Sequence, residues 1–173
     1  MTAAEDAVDQ HIKRWLPVVP DFDRDIEGAV VRMIRVIRHL RAVKERVLAD
    51  FDLPPHEYET LHALAGRQGR AAPSDLAADL SVAPASITAR VDTLLKRGFV
   101  RRIPSTVDRR RVDVELTDAG MDAWRAAMES QGAEEHRLLG ALTPAERRVL
   151  SDLLRRVLLV AEQPADASQT SNS

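Results

Sequence analysis

Apolar residues recur along this chain with the period of helices over most of its length and with the period of strands over one short stretch. Val8, Ile12, Trp15 and Leu16 share one side of a helix expected over Ala3–Leu16, and Pro17 to Pro20 break it. The acids of Asp21–Asp25 offer N-caps for a long helix to about Asp50. In it Ile26, Val30, Met33, Ile34, Ile37, Leu40, Val43 and Val47 keep helical spacing, and the other face carries Arg32, Arg35, Arg38, Arg41, Lys44 and Arg46. Asp52-Leu53-Pro54-Pro55 ends that helix and starts the next, over roughly Pro55–Ala65, and Gly66–Ala72 reads as a loop.

From Ala72 to Thr117 the punctuation tightens. Leu76, Ala77 and Leu80 mark a short helix, small residues at Ser81–Ala83 turn the chain, and Pro84 suits the first position of a second helix. There Ile87, Val91, Leu94 and Leu95 fall at i, i+4, i+7 and i+8, while Ala85, Thr88, Ala89, Asp92 and Lys96 point away from that stripe. Gly98 caps the helix, and Phe99–Ile103 and Arg111–Thr117 read as strands. In the second, Val112, Val114 and Leu116 alternate with Arg111, Asp113 and Glu115. Pro104–Arg110 is then a polar hairpin tip ending in Asp108-Arg109-Arg110. Two helices, a tight turn and a basic hairpin make a winged helix-turn-helix pattern.

After the hairpin a long helix is expected from Thr117-Asp118-Ala119-Gly120 through about Leu142. Thr143-Pro144-Ala145-Glu146 is a capping box that opens a last helix to about Val160, with Val149, Leu150, Leu153, Leu154, Val157 and Leu158 as its apolar face. Residues 163–173 are small and polar and read as a disordered tail. The fold class expected is mainly α with a small β wing. Its stretches are an N-terminal extra helix and dimerisation helix (residues 1–52), a DNA-binding lobe (53–117), C-terminal dimerisation helices (118–162) and the tail. The wide apolar faces at the two ends exceed what one thin bundle needs. A two-fold dimer through both termini would bury them and set two recognition helices about 34 Å apart, the spacing of a palindromic site.

Charge sharpens the picture. The 173 residues carry a formal net charge of −2, yet residues 84–111 hold eight basic and two acidic side chains, close to +6. Cysteine is absent, which excludes disulfides and thiol chemistry and favours a cytoplasmic setting, and no apolar run is long enough for a bilayer. His11, His39, His56, His62 and His136 show neither i, i+4 pairing nor cysteine partners, so no metal or cofactor is expected. With no Gly-rich phosphate loop and no nucleophile–base set, the chain reads as no enzyme.

By position, Ala85, Ser86 and Thr88 are the expected base-reading residues, with Ala89 beside them on the DNA-binding face, Lys96 and Arg97 on phosphate and Asp108, Arg109 and Arg110 at the wing. Arg90 borders the buried stripe, where it fits a pocket contact, an ion pair or a phosphate contact. Trp15 fits a core position as well as a ligand platform, and Glu59 alone would be a solvated carboxylate.

The motifs LAADLSVAPASITARVDTLLKRGFVRR and DRRRVDVELTDAG resemble those of the MarR family of bacterial transcription regulators, over about Asp21–Val160. In that family the wing aspartate, here matched by Asp108, orients a wing arginine, here Arg110, that enters the minor groove. VDQHIKRWLPVVPDFDRDIEGAVVRMIRVIRHL further resembles the urate-responsive subgroup of HucR- and PecS-like proteins. That resemblance implies a purine-like or aromatic anion such as urate held by Trp15, Glu59, Arg90 and Arg102, with Glu59 one methylene longer than the subgroup's usual Asp. The function expected is a homodimeric, ligand-responsive regulator, a repressor released from double-stranded DNA bearing an inverted repeat. The alternative is a winged-helix DNA-binding or interaction module with no small-molecule effector.

Overall fold

The structure is a computed structural model and describes residues 4–105 and 112–163. Its elements in chain order are α1 (Ala7–Trp15), α2 (Arg24–Asp50), α3 (Pro55–Gly66), β1 (Arg70–Ala71), α4 (Pro73–Asp79), α5 (Pro84–Lys96), β2 (Val100–Pro104), β3 (Val112–Leu116), α6 (Asp118–Leu139) and α7 (Pro144–Ala161). The fold is therefore mainly α with a small β wing. The chain divides into two compact units, residues 1–132 and residues 133–173. The expected tail from residue 164 onward and the wing tip at 106–111 lie outside the described residues.

In the first unit α1 begins at Ala7, later than its apolar spacing suggests, because a reciprocal cap sets the start. The Asp6 carboxylate accepts from the Val8 and Asp9 backbone N–H groups, and the Asp9 carboxylate accepts from the Asp6 N–H. Arg32 on α2 donates to Asp6 at 2.8 Å and to Asp9 at 2.7 Å, which ties α1 to α2. The Arg32 guanidinium holds the Asp6 carboxyl well below the usual carboxylate range. Val8 is buried, so the same end of α1 is fastened by charge and by packing.

The core sits under the helix-turn-helix. Leu48 and Leu53, at and after the end of α2, meet Leu61 and Leu64 of α3, Leu76 of α4 and the stripe Ile87, Val91 and Leu94 of α5. Val100, Val114 and Leu116 close it from the sheet, and Ala127 of α6 joins with Met121 and Trp124 packed at its edge. Each large apolar side chain buried here stabilises by about 1.5–3 kcal/mol. Ser81, with φ +52°, makes the α4–α5 turn, and Gly98, with φ +72°, ends α5 as its spacing predicts.

The sheet has the order β1-β3-β2, with both pairings antiparallel. β1 corrects the sequence reading of Gly66–Ala72 as loop alone. Gln68 (φ +60°) and Gly69 (φ +84°) turn the chain so that Arg70 faces Glu115 and Ala71 faces Val114. Two residues are too few for an alternation to register. β3 also departs from a simple period of two: Val114 and Leu116 are buried, but Val112 is 49% exposed and Asp113 is buried. The cause is Arg70, whose Nε donates to the Asp113 carboxylate at 3.0 Å and whose Nη2 donates to the Pro104 carbonyl at 2.9 Å.

α6 starts hard against the end of β2's lead-in. A Cβ on Gly120 would overlap the Phe99 carbonyl oxygen and lie 2.8 Å from its carbon. α6 ends at Leu139, short of the expected Leu142, and residues 140–142 form a turn. In the second unit the Thr143–Glu146 capping box opens α7 as expected, with Pro144 in the first turn. No residue of α7 is buried; Val149, Leu153, Leu154, Val157, Leu158 and Val160 are all exposed. Among the described residues no helix is long and apolar enough to cross a membrane.

Candidate nucleic-acid interface

The N-terminal half of α5 presents small and hydroxyl side chains outward. Ala85, Ser86, Thr88 and Ala89 are exposed while Ile87 among them and Val91 beyond them are buried. The Thr88 hydroxyl donates to the Pro84 carbonyl at 3.1 Å, which leaves its oxygen free to accept from outside. β2 packs against α5 and pairs with β3, while the expected wing residues Asp108, Arg109 and Arg110 lie outside the described residues.

The basic residues of this stretch are less free than their number suggests. Arg101 pairs with Glu115 at 2.5 Å and Arg102 with Asp92 at 2.7 Å. Arg90 reaches the Glu59 carboxylate and the His56 carbonyl, each at 3.4 Å. Arg97, expected on phosphate, turns inward: its Nη1 donates to the buried Glu57 carboxylate at 2.7 Å and its Nη2 to the Asp52 carbonyl at 2.7 Å. Its guanidinium also lies 4.7 Å from the centre of the Phe99 ring. Among the described basic residues of 84–111, Lys96 is the one that stands exposed with no acidic partner.

Of the four expected ligand residues, Glu59 and Arg90 come together across α3 and α5, with Arg90 mostly buried (19% side-chain exposure) and Glu59 half exposed. Arg102 is taken by Asp92 on the outer side of α5. Trp15, on α1, tilts against His11 with ring centres 6.2 Å apart, and His11 in turn bonds Glu27 of α2 at 2.9 Å. Trp15 shares no hydrogen bond, ion pair or ring contact with Glu59, Arg90 or Arg102 among the described residues.

A polar cleft of about 520 Å³ opens at the base of the wing, lined by Arg67, Arg70, Asp75, Ser105, Asp113 and Glu115 among others. It contains none of the four expected ligand residues. Arg67 is paired there with Asp79 at 2.5 Å, and that guanidinium holds the Asp79 carboxyl below its ordinary value. The sequence reading missed Glu57, Arg70 and Asp113. A glutamate in a helix's first turn and an arginine in a loop carry no periodic signal, and Asp113 sat on the strand face assigned to solvent. Among the described residues no group of three or more His, Asp or Glu gathers as a metal site.

The MarR family model matches residues 53–112, the stretch from the start of α3 to the first residue of β3. The transcriptional regulator PecS of Dickeya dadantii is 28% identical over 148 residues, covering 84% of this chain and 89% of PecS. Among solved structures, wild-type MarR of Escherichia coli in its apo form is 28% identical and covers 72% of this chain and 94% of its own, with a TM-score of 0.57. YusO of Bacillus subtilis matches at a TM-score of 0.64 over 90% of this chain and 99% of its own, at 20% identity, a likeness of fold. The matched stretch, the element order and these relatives agree: residues 53–112 form a winged-helix domain that matches the MarR family of transcription regulators.

Proposed function

We propose that the protein is a homodimeric repressor that binds an inverted repeat in duplex DNA and releases it when a small aromatic or purine-like anion binds. The observation that carries the DNA part is the outer face of α5: four small or hydroxyl-bearing residues exposed in a row above a buried stripe, beside a basic hairpin. Ser86 and Thr88 read base edges, Ala85 and Ala89 allow close approach, Lys96 holds phosphate, and Arg109 or Arg110 enters the minor groove, with Asp108 orienting it.

The dimer reading is supported by the uncovered apolar stripes. Ile26, Val30, Ile34 and Ile37 are exposed along α2, and α7 leaves its leucines and valines in water. A second copy covers both and repeats α5 at groove spacing. This reading assigns the ends of the chain, residues 1–52 and 118–162, to dimerisation.

The ligand reading is supported by the Arg90–Glu59 pair. At 3.4 Å it is long for a charge-assisted bond, and it links the recognition helix to α3. An anion that replaces Glu59 as the partner of Arg90 changes what holds α5, and so biases the spacing of the two recognition helices. Trp15 and Arg102 enter this site on family resemblance alone.

The test is a fluorescence-anisotropy titration of the DNA upstream of the gene. Arg110→Ala loses affinity sharply, and unchanged affinity removes the wing from the mechanism. Thermal melting with urate, xanthine and salicylate tests the ligand. A protein that binds DNA but melts unchanged with all three is the effector-free module instead.

A further inference from the structure

Glu57 is a buried carboxylate in the first turn of α3, and the guanidinium that neutralises it arrives from the far end of α5. We propose that Arg97 is the positioning residue of the recognition helix. Together with Glu57, the Asp52 carbonyl and the Phe99 ring, it pins the C-terminus of α5 to the α2–α3 junction and so sets the pose in which Ser86 and Thr88 meet DNA. The inference rests on the DNA-reading role given to α5 above.

The contacts explain why this arginine is not a phosphate ligand. Nη1 is committed to Glu57 at 2.7 Å and Nη2 to the Asp52 carbonyl at 2.7 Å, with the Asp52 carboxylate a further 3.5 Å neighbour. Swinging the side chain out to a phosphate would strand the Glu57 charge in the interior, which costs far more than an exposed contact returns. A lysine cannot reproduce the grip, because the two acceptors need the two arms of one planar fork.

Arg97 is the C-cap residue of α5, so its anchorage acts on a rigid rod. A helix of this length is about 20 Å long, so a 10° tilt at the anchored end moves the reading end by about 3 Å. That is enough to break a bidentate contact to a base edge while leaving general attraction to the backbone intact. The junction holding the anchor follows the end of α2, where Asp52 takes φ +47° in the short link to α3. The orientation of α5 is thereby referred to the helix whose exposed stripe faces the proposed dimer seam.

Glu57→Gln, Arg97→Gln, their double variant and Arg97→Lys are compared with Asp52→Asn, which keeps the carbonyl, and with Lys96→Ala, a phosphate contact. Each is titrated in the full chain, over a salt series, against the upstream duplex and a scrambled duplex of equal length. Circular dichroism melts of each variant confirm the folded state, and Arg97→Lys, which keeps charge and stem, serves if the glutamine variants fail to fold. Losing the clasp is expected to weaken binding to the upstream duplex about tenfold, the size of one lost base contact. Binding to the scrambled duplex stays within about twofold and the salt slope is unchanged, because no phosphate contact is lost. The double variant loses no more than either single one. Asp52→Asn behaves as wild type, while Lys96→Ala, which removes one phosphate contact from each copy of the dimer, lowers the slope by about 1.8 on both duplexes.

Tighter binding and a steeper slope in Glu57→Gln would show Arg97 released onto phosphate and overturn the inference. Equal losses on both duplexes with a shallower slope in the Arg97 variants would do the same. A wild-type chain indifferent to both duplexes would overturn the DNA-reading role of α5 as well, which separates the two failures.

Discussion

Two glycines in α6 make the same substitution carry opposite signs. At Gly120 an added methyl overlaps the Phe99 carbonyl oxygen and sits 2.8 Å from its carbon, so the obstacle is backbone and cannot rotate away. Overpacking of this kind costs about 1–3 kcal/mol and occasionally more, and a backbone obstacle places Gly120→Ala near about 3. The gain in helix propensity returns about 1 kcal/mol, which leaves a net loss of about 2. For a chain of this length that lowers the melting temperature by about 4–8 °C. At Gly132, in the interior of the same helix, nothing lies within 4 Å of the added carbon. Gly132→Ala therefore gains the propensity term alone and raises the melting temperature by about 2–4 °C. Parallel melts followed by helical dichroism at fixed protein concentration, with refolding checked, decide the matter. A Gly120→Ala protein that melts at or above the wild-type temperature would refute the close approach of α6 to Phe99, and with it the seating of the recognition helix's exit.

Other consequences are as direct. Asp6 titrates below its unfolded value of about 3.9, so its contribution to holding α1 is complete above that pH and is lost as the pH falls toward the folded value. The methyl resonances of Val8 keep their packed shifts through pH 4 in the wild type, and Asp6→Asn displaces them already at neutral pH. Thr143→Ala removes the cap of α7 and costs about 1 kcal/mol in a denaturant titration. Arg70→Ala strips Asp113 and the Pro104 carbonyl of their shared donor and loosens the hairpin base, read as faster amide exchange at Ile103 and Val114.

The helices were legible because each carries its own signal: the Thr143–Glu146 cap, Pro84 at a helix start, and Ile87, Val91 and Leu94 as a stripe all fold as they read. What escaped is what depends on contact between distant segments. β1 is two residues long and exists only because β3 offers it a ladder. Asp113 follows the polar half of an alternation and is buried because Arg70, far away in sequence, covers it. The net charge of 84–111 is correctly counted from the sequence, but three of the acids that answer it, Glu57, Glu59 and Glu115, lie outside that stretch. Residue type alone points Arg97 to phosphate. Its 2.7 Å contact with Glu57, which no sequence pattern announces, is what supports the anchoring role proposed above.

α7 leaves its leucines exposed, and in the proposed dimer their shelter, and with it the stability of the chain, belongs to two copies at once. Under the two-fold arrangement proposed above, folding and association are one equilibrium, and the melting temperature climbs with protein concentration. Dosage then becomes part of the regulation. A cell making little of this protein holds it as solitary, operator-blind chains exposed to proteolysis, and a modest rise in synthesis yields both more chains and longer-lived ones. Occupancy of the DNA site therefore rises more steeply than the amount of protein made.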